Sequence, residues 1–172
     1  MAASVRARLK QHADAKKQDF NLTLTHYGLE RLLYRLSISP HAPNYLLKGA
    51  LLFSLWYDQP HRPTRDADLL GFGPDDVESA VNAFRDICQI AVEDGIAFDV
   101  VSVQGAVIRK EAGYGGVRID LRATLDSARI ALQVDMYIKQ VAARSVAQGS
   151  AVAGALQSTY GLNRGAGTPC RG

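Results

Sequence analysis

Apolar positions along this chain change their spacing from segment to segment, and each spacing predicts an element. Leu29, Leu32, Leu33 and Leu36 fall at i, i+3, i+4 and i+7, one face of a helix over about residues 21–36, with Asn21 as its N-cap. Arg31 and Arg35 lie off that stripe and are expected in solvent. An earlier, thinner stripe of Val5, Leu9 and Ala13 predicts a surface-lying helix over about 5–17, capped by Ser4. Pro40 and Pro43 end the second helix, and Asn44 to Gly49 is expected to be a short strand or turn leading into a third helix over 50–57. Pro60 and Pro63 punctuate the loop beyond it, and a strand is expected over about 66–71. Val77, Val81, Phe84, Cys88 and Ala91 then form an amphipathic stripe reaching to about Asp94. Cys88 lies on that stripe and so is expected to be a buried structural thiol.

The second half of the chain changes to period two. Residues 97–109 alternate loosely, with an expected interruption at Gly105. Val117, Ile119, Leu121 and Ala123 then share one face, with Arg118, Asp120, Arg122 and Thr124 on the other. Ile130, Leu132 and Val134 alternate with Ala131, Gln133 and Asp135. Two such runs joined at Asp126-Ser127-Ala128-Arg129 predict a hairpin packed on helices by its apolar face. The fold class expected is therefore α+β, a mixed β-sheet flanked by helices.

Candidate chemistry concentrates between Lys48 and Leu70. Asp66 and Asp68 lie two residues apart at the tip of a strand, on one face and about 6.6 Å apart at roughly 3.3 Å per residue, with Ala67 and Leu69 on the other. Two carboxylates so close repel unless a proton or cation intervenes, and a hard divalent cation such as magnesium suits oxygen ligands. Asp-x-Asp also occurs in ordinary surface loops, so the pair alone does not decide the matter. Gly49, upstream, permits close approach of a backbone or ligand, or serves only as a tight turn packing helix on sheet. Asp135 ends a later strand on the non-core face, where it can complete a site with Asp66 and Asp68.

Composition adds one correction to this picture. The formal net charge of +3 on 172 residues is unevenly placed. Residues 1–135 hold 16 Lys and Arg against 17 Asp and Glu, whereas Lys139, Arg144, Arg164 and Arg171 stand in a tail without any acid. The basic balance comes from that tail and is not a nucleic-acid-binding signal from the body. Two unpatterned cysteines, Cys88 and Cys170, make neither a disulfide framework nor a zinc site. The polar N-terminus has no secretory h-region, and no apolar run approaches about 18 residues, so a cytoplasmic protein without membrane spans is expected.

With these residues in place, the chain resembles the AbiEii/AbiGii family of nucleotidyltransferase toxins, within the DNA polymerase β-like superfamily. The resemblance covers about residues 4–136. It rests on the helix Tyr27-Gly28-Leu29-Glu30-Arg31-Leu32-Leu33-Tyr34-Arg35-Leu36-Ser37, on Leu47-Lys48-Gly49-Ala50 with Arg62, Thr64, Asp66, Asp68 and Leu69, and on Leu132-Gln133-Val134-Asp135. It implies a polymerase β-like nucleotidyltransferase core and metal-dependent transfer of NMP from an NTP to an acceptor such as RNA or tRNA, in a toxin paired with a cognate antitoxin. It further implies that Asp66, Asp68 and Asp135 are catalytic and hold two magnesium ions. Lys48, Gly49, Ala50, Arg62 and Thr64 would bind the nucleotide.

Two departures from the family pattern stand out. Ala50 replaces the usual second Gly or Ser, which keeps a backbone N–H and loses a hydroxyl. The family's later Lys and Asp-x-x-Asp motifs do not appear in residues 136–172. The chain is accordingly expected to divide into a nucleotidyltransferase core over 1–138 and a basic, disordered or non-native tail over 139–172, truncated and resembling translation out of frame. Three alternatives remain open: a non-catalytic remnant that binds nucleotide or metal, a metal-dependent phosphodiesterase or nuclease, and a plain α/β structural domain whose carboxylates lie apart.

Overall fold

Strand parity sorts this chain into a covered and an open face. The computed structural model describes residues 1–51, 64–109 and 115–139. In chain order these hold helices α1 (Ala2–Ala15) and α2 (Phe20–Ser37), strands β1 (Tyr45–Lys48) and β2 (Asp66–Phe72), helix α3 (Val77–Gln89), and strands β3 (Ile96–Arg109), β4 (Gly115–Leu125) and β5 (Ala128–Lys139). The strands form one mixed sheet in the order β1-β2-β5-β4-β3, with β2 parallel to β5 and the other neighbours antiparallel. This is the α+β architecture expected from the sequence. Ala50 and Leu51 are helical, while the rest of the expected third helix, Arg62 and the tail beyond Lys139 lie outside the described residues. No described helix is long and apolar enough to cross a membrane.

The helices all pack on one side of the sheet, α2 against β5, α3 against β3 and β4, and α1 against β4. Val117, Ile119, Leu121, Ala123 and Leu125 of β4, with Ile130, Leu132, Val134 and Met136 of β5, lie buried beneath them. Ala67 and Leu69 of β2 join the same core. Burial of this contiguous apolar layer is the main favourable term in the fold. Asp120, Arg122 and Thr124 project from the opposite face into solvent, as their parity requires.

Four local readings are corrected. The cap of α2 is Asp19, whose carboxylate accepts from the Leu22 N–H at 2.8 Å, and not Asn21. Ser4 lies within α1, which starts after Met1 and has no side-chain cap. Gly105 does not interrupt β3. A Cβ there would stand 2.6 Å from Val77 Cγ1 and 2.8 Å from Val81 Cγ2, so the glycine seats α3 on the sheet. The irregularity lies between Asp99 and Gln104 instead, where Ser102 Oγ donates to the Asp99 carbonyl and accepts from the Arg122 N–H.

The largest correction concerns Arg31 and Arg35, each only 2% exposed. Arg31 Nε donates to Asp94 Oδ2 at 2.9 Å, and Arg35 Nη1 and Nη2 donate to Asp94 Oδ2 and Oδ1 at 2.7 and 3.1 Å. Tyr27 Oη donates to the Asp94 carbonyl at 2.6 Å, and Arg35 Nε reaches the Ile90 carbonyl at 3.0 Å. The flank of α2 is thereby tied to the segment linking α3 to β3. A helix wheel shows charges off the apolar stripe but not the distant carboxylate that makes their burial tolerable.

Replacing Asp94 with Ala leaves two guanidinium groups buried without their counter-charge. It is expected to lower unfolding stability by about 3–5 kcal/mol, measured by chemical denaturation. The exposed Lys10–Asp14 pair of α1 serves as the comparison, with little change expected on Asp14→Ala.

Alkaline pH provides a second test. Burial pushes the Cys88 thiol from 9.0 up to about 12, and burial together with the Asp94 charge pushes the Tyr27 phenol from 10.0 up to about 12. Between the ordinary and the raised values the native state holds more protons than the unfolded chain. Stability is therefore complete below about pH 9 and falls as pH rises toward about 12. Denaturation midpoints measured across that window should decline, and Cys88→Ala should remove part of the decline.

Candidate active site

The three carboxylates singled out in the sequence stand on the open side of adjacent strands. Parallel pairing of β2 with β5 sets Asp68 opposite Asp135 and Asp66 opposite Gln133. On the other side of β2, antiparallel pairing sets Lys48 opposite Asp68. This register does not match a structural domain whose carboxylates lie apart.

Asp66 is oriented from the start of its own strand. Thr64 Oγ1 donates to Asp66 Oδ1 at 2.6 Å. The Thr64 carbonyl is in turn 2.6 Å from His26 Nε2. A carbonyl can only accept, so Nε2 carries the proton in this contact. A chain of two hydrogen bonds thus runs from α2 through Thr64 to the carboxylate.

Gly49 governs the surroundings of Asp68. Its φ is +78°, and a Cβ at this position would lie 2.2 Å from Asp68 Oδ2. The missing side chain is what lets that carboxylate rest against the backbone where β1 turns into the helical residues Ala50 and Leu51. Next to it, Lys48 Nζ stands 4.0 Å from the centroid of the Tyr137 ring. Tyr137 follows Asp135 by two residues on β5, so parity puts it on the same face, and its ring holds the ammonium there by cation–π attraction.

Asp135 is buried, at 6% exposure. Both of its oxygens accept from Arg118, with Nε and Nη2 each at 2.8 Å. The two residues are Cα partners across β4 and β5, so this bidentate pair is a direct product of sheet register. The hydrogen bond that Arg118 donates to Asp135, followed by the charges of Asp135, Asp120 and Asp66, raises the Arg118 guanidinium above its ordinary value. Arg118 is therefore the cation that balances Asp135 among the described residues.

The donor chemistry suits a hard cation in part. Asp66 and Asp68 supply carboxylate oxygens from one face of one strand, the ligand type that magnesium takes. Among the described residues, however, no group of three His, Cys, Asp or Glu side chains is arranged to hold a metal ion. Both oxygens of Asp135 are engaged by Arg118.

Of the residues expected from sequence, Lys48, Gly49, Thr64, Asp66, Asp68 and Asp135 thus come together, with the helical residue Ala50 next to Gly49 in the chain. Arg62 lies outside the described residues. Arg118, Tyr137 and His26 were missed. The signal for Arg118 was present, since it shares parity with Asp120 and Arg122 on the polar face of the expected hairpin. For His26 there was none, because its contact with Thr64 spans 38 residues.

Comparison with protein families finds a match over residues 31–148 to the family described as nucleotidyl transferase AbiEii toxin, type IV TA system. The match takes in the C-terminal part of α2, all five strands and every site residue expected from the sequence. No curated protein matches the chain.

Gly49→Ala tests the close approach to Asp68. The left-handed backbone alone costs roughly 1–2 kcal/mol for a residue with a side chain. The Cβ must in addition displace the Asp68 carboxylate or the β1 end. The expected outcome is a loss of stability of at least about 1 kcal/mol in chemical denaturation, with a change in the Asp68 carboxyl signal by NMR.

Proposed function

The chain belongs to the AbiEii nucleotidyl transferase toxin family of type IV toxin–antitoxin systems, and we propose that it transfers NMP from an NTP to a hydroxyl of an RNA such as tRNA. The observation that carries this reading is the convergence of Asp66 and Asp68 with Asp135 on neighbouring strands, with Gly49 packed against Asp68. In the transfer, the hydroxyl oxygen forms a bond to the α-phosphorus while the bond from that phosphorus to the bridging oxygen breaks. Pyrophosphate leaves and the hydroxyl proton passes to a carboxylate, the role this reading gives to Asp135.

Asp66 and Asp68 would hold magnesium, which when bound supplies charge stabilisation for the entering and leaving oxygens. The Thr64 hydroxyl keeps Asp66 turned for this role. The backbone N–H groups following Gly49 are suited to the triphosphate, and Lys48 adds a positive charge beside it. Arg118 must yield at least one oxygen of Asp135 before that carboxylate can take a proton or share a cation. Arg118 then becomes a free guanidinium facing the phosphates, the residue type best matched to them. A cognate antitoxin is the natural protein partner of a toxin of this family.

The closed Arg118–Asp135 pair favours one second reading, a module that binds nucleotide without transferring it. Incubation of the full chain with labelled NTPs, magnesium and an RNA pool distinguishes the two. Labelled, extended RNA is expected from the native sequence. The Asp66→Asn, Asp68→Asn double variant should lose the reaction by roughly a hundredfold or more, since several kcal/mol of transition-state stabilisation go with the metal ligands. Label persisting in that variant would remove the assigned site, and shortened RNA would instead identify a phosphodiesterase. Tight Mg-ATP binding without any product would establish the binding module.

A further inference from the structure

A cleft of about 390 Å³ opens at Arg65, the residue before Asp66 in the chain, and is lined also by Asn21, Thr25, Arg129, Gln133 and Asp120 among others. Its origin lies in the strand lengths. β5 begins at Ala128, but its neighbour β2 begins only at Asp66, opposite Gln133. Residues 128–132 of β5 therefore pair with β4 on one side and have no described strand on the other. The first half of α2 borders the resulting notch and contributes Asn21 and Thr25 to it.

The polar part of the lining leans toward an anion: Arg65 and Arg129 stand with Asn21, Thr25 and Gln133 against the single acid Asp120, and the other four lining residues are apolar. Neither Arg65 nor Arg129 forms an ion pair with any described residue, and both are exposed. That contrasts with Arg31, Arg35 and Arg118, each committed to an aspartate. Gln133 belongs to the notch and shares a face with Asp135 one strand repeat away, about 6.6 Å along β5. The notch thus continues directly into the acidic face, on the Asp66 side, while Gly49 and Lys48 flank Asp68 from β1.

We propose that this cleft seats the sugar-phosphate backbone of the acceptor RNA behind its reacting hydroxyl, with Arg65 and Arg129 on successive phosphates. The inference rests on the transferase reading above and assigns its two phosphate-bearing substrates to different ends of the site. The nucleoside triphosphate enters by Gly49 and Lys48, and the acceptor strand by the notch. Guanidinium contacts to phosphate are two-pronged and carry no sequence information, so the cleft would fix the strand's position without reading its sequence.

The test is equilibrium binding of a fluorescently labelled single-stranded RNA oligomer to the full chain, with NTP omitted, over a series of salt concentrations. The double variant Arg65→Ala, Arg129→Ala is expected to bind the oligomer at least tenfold more weakly. Its slope of log affinity against log salt should flatten by about 1.4, roughly 0.7 for each phosphate of a single strand that is no longer neutralised. Binding of a labelled NTP should not change. Arg85→Ala, an exposed arginine of α3 on the covered side, should leave both affinities intact. Unchanged RNA affinity and slope in the double variant would overturn the proposal. Loss of NTP affinity with RNA binding retained would do the same, by assigning the cleft to the triphosphate. A chain that shows the arginine-dependent RNA binding yet transfers no label would keep the cleft and refute the transferase reading instead.

Discussion

A strand displaced by one residue exchanges its faces, and in this chain the exchange would drive Asp66, Asp68 and Asp135 under three helices while Ala67, Leu69 and Val134 turned out to water. Burying unpaired carboxylates costs several kcal/mol each, so register here is fixed from both sides at once. The apolar face requires cover and the acidic face refuses it. Everything at the candidate site follows from that single constraint. The Asp68–Asp135 pairing, the reach of Arg118 across to Asp135 and the placing of Lys48 over Tyr137 are all consequences of strands locked in one alignment.

The chain meets the same electrostatic problem twice and answers it in two ways. Asp94 is buried with Arg31 and Arg35, held by several hydrogen bonds, and closed off as part of the architecture. Asp135 is buried too, but its partner Arg118 remains more than a third exposed, on the open face. The first arrangement joins α2 to the α3–β3 connection. The second stands beside further carboxylates that a bound cation or phosphate would alter. The difference between an arginine that anchors and one that can be recruited lies in what surrounds it, and not in its distance to the carboxylate.

How much of this is legible in the sequence depends on the range of each interaction. Alternation at 117–123 and 130–134 specifies the hairpin and its covered face, and Asp66 with Asp68 follows from the same period-two rule. The leucine stripe locates α2 within a residue or so at each end. Arg31 and Arg35 read as solvated because their burial depends on Asp94, about sixty residues away in the chain. Gly105 reads as a break because its real role, making room for Val77 and Val81, belongs to another element. The family motif brings Gly49 and Asp135 into one site ahead of any geometry. The geometry adds Arg118, which pattern alone places on the right face but cannot pair.

The parallel junction of β2 with β5 has a kinetic consequence. β3, β4 and β5 form a meander of near neighbours in sequence, whereas Asp68 and Asp135 meet only after α3 and two full strands have been laid down between them. Contacts of such sequence separation form late, since the intervening loop must be closed before they contribute. During synthesis the aspartate pair of β2 emerges first and waits for its counterpart. A nascent chain that has not yet released β5 carries no completed acidic face.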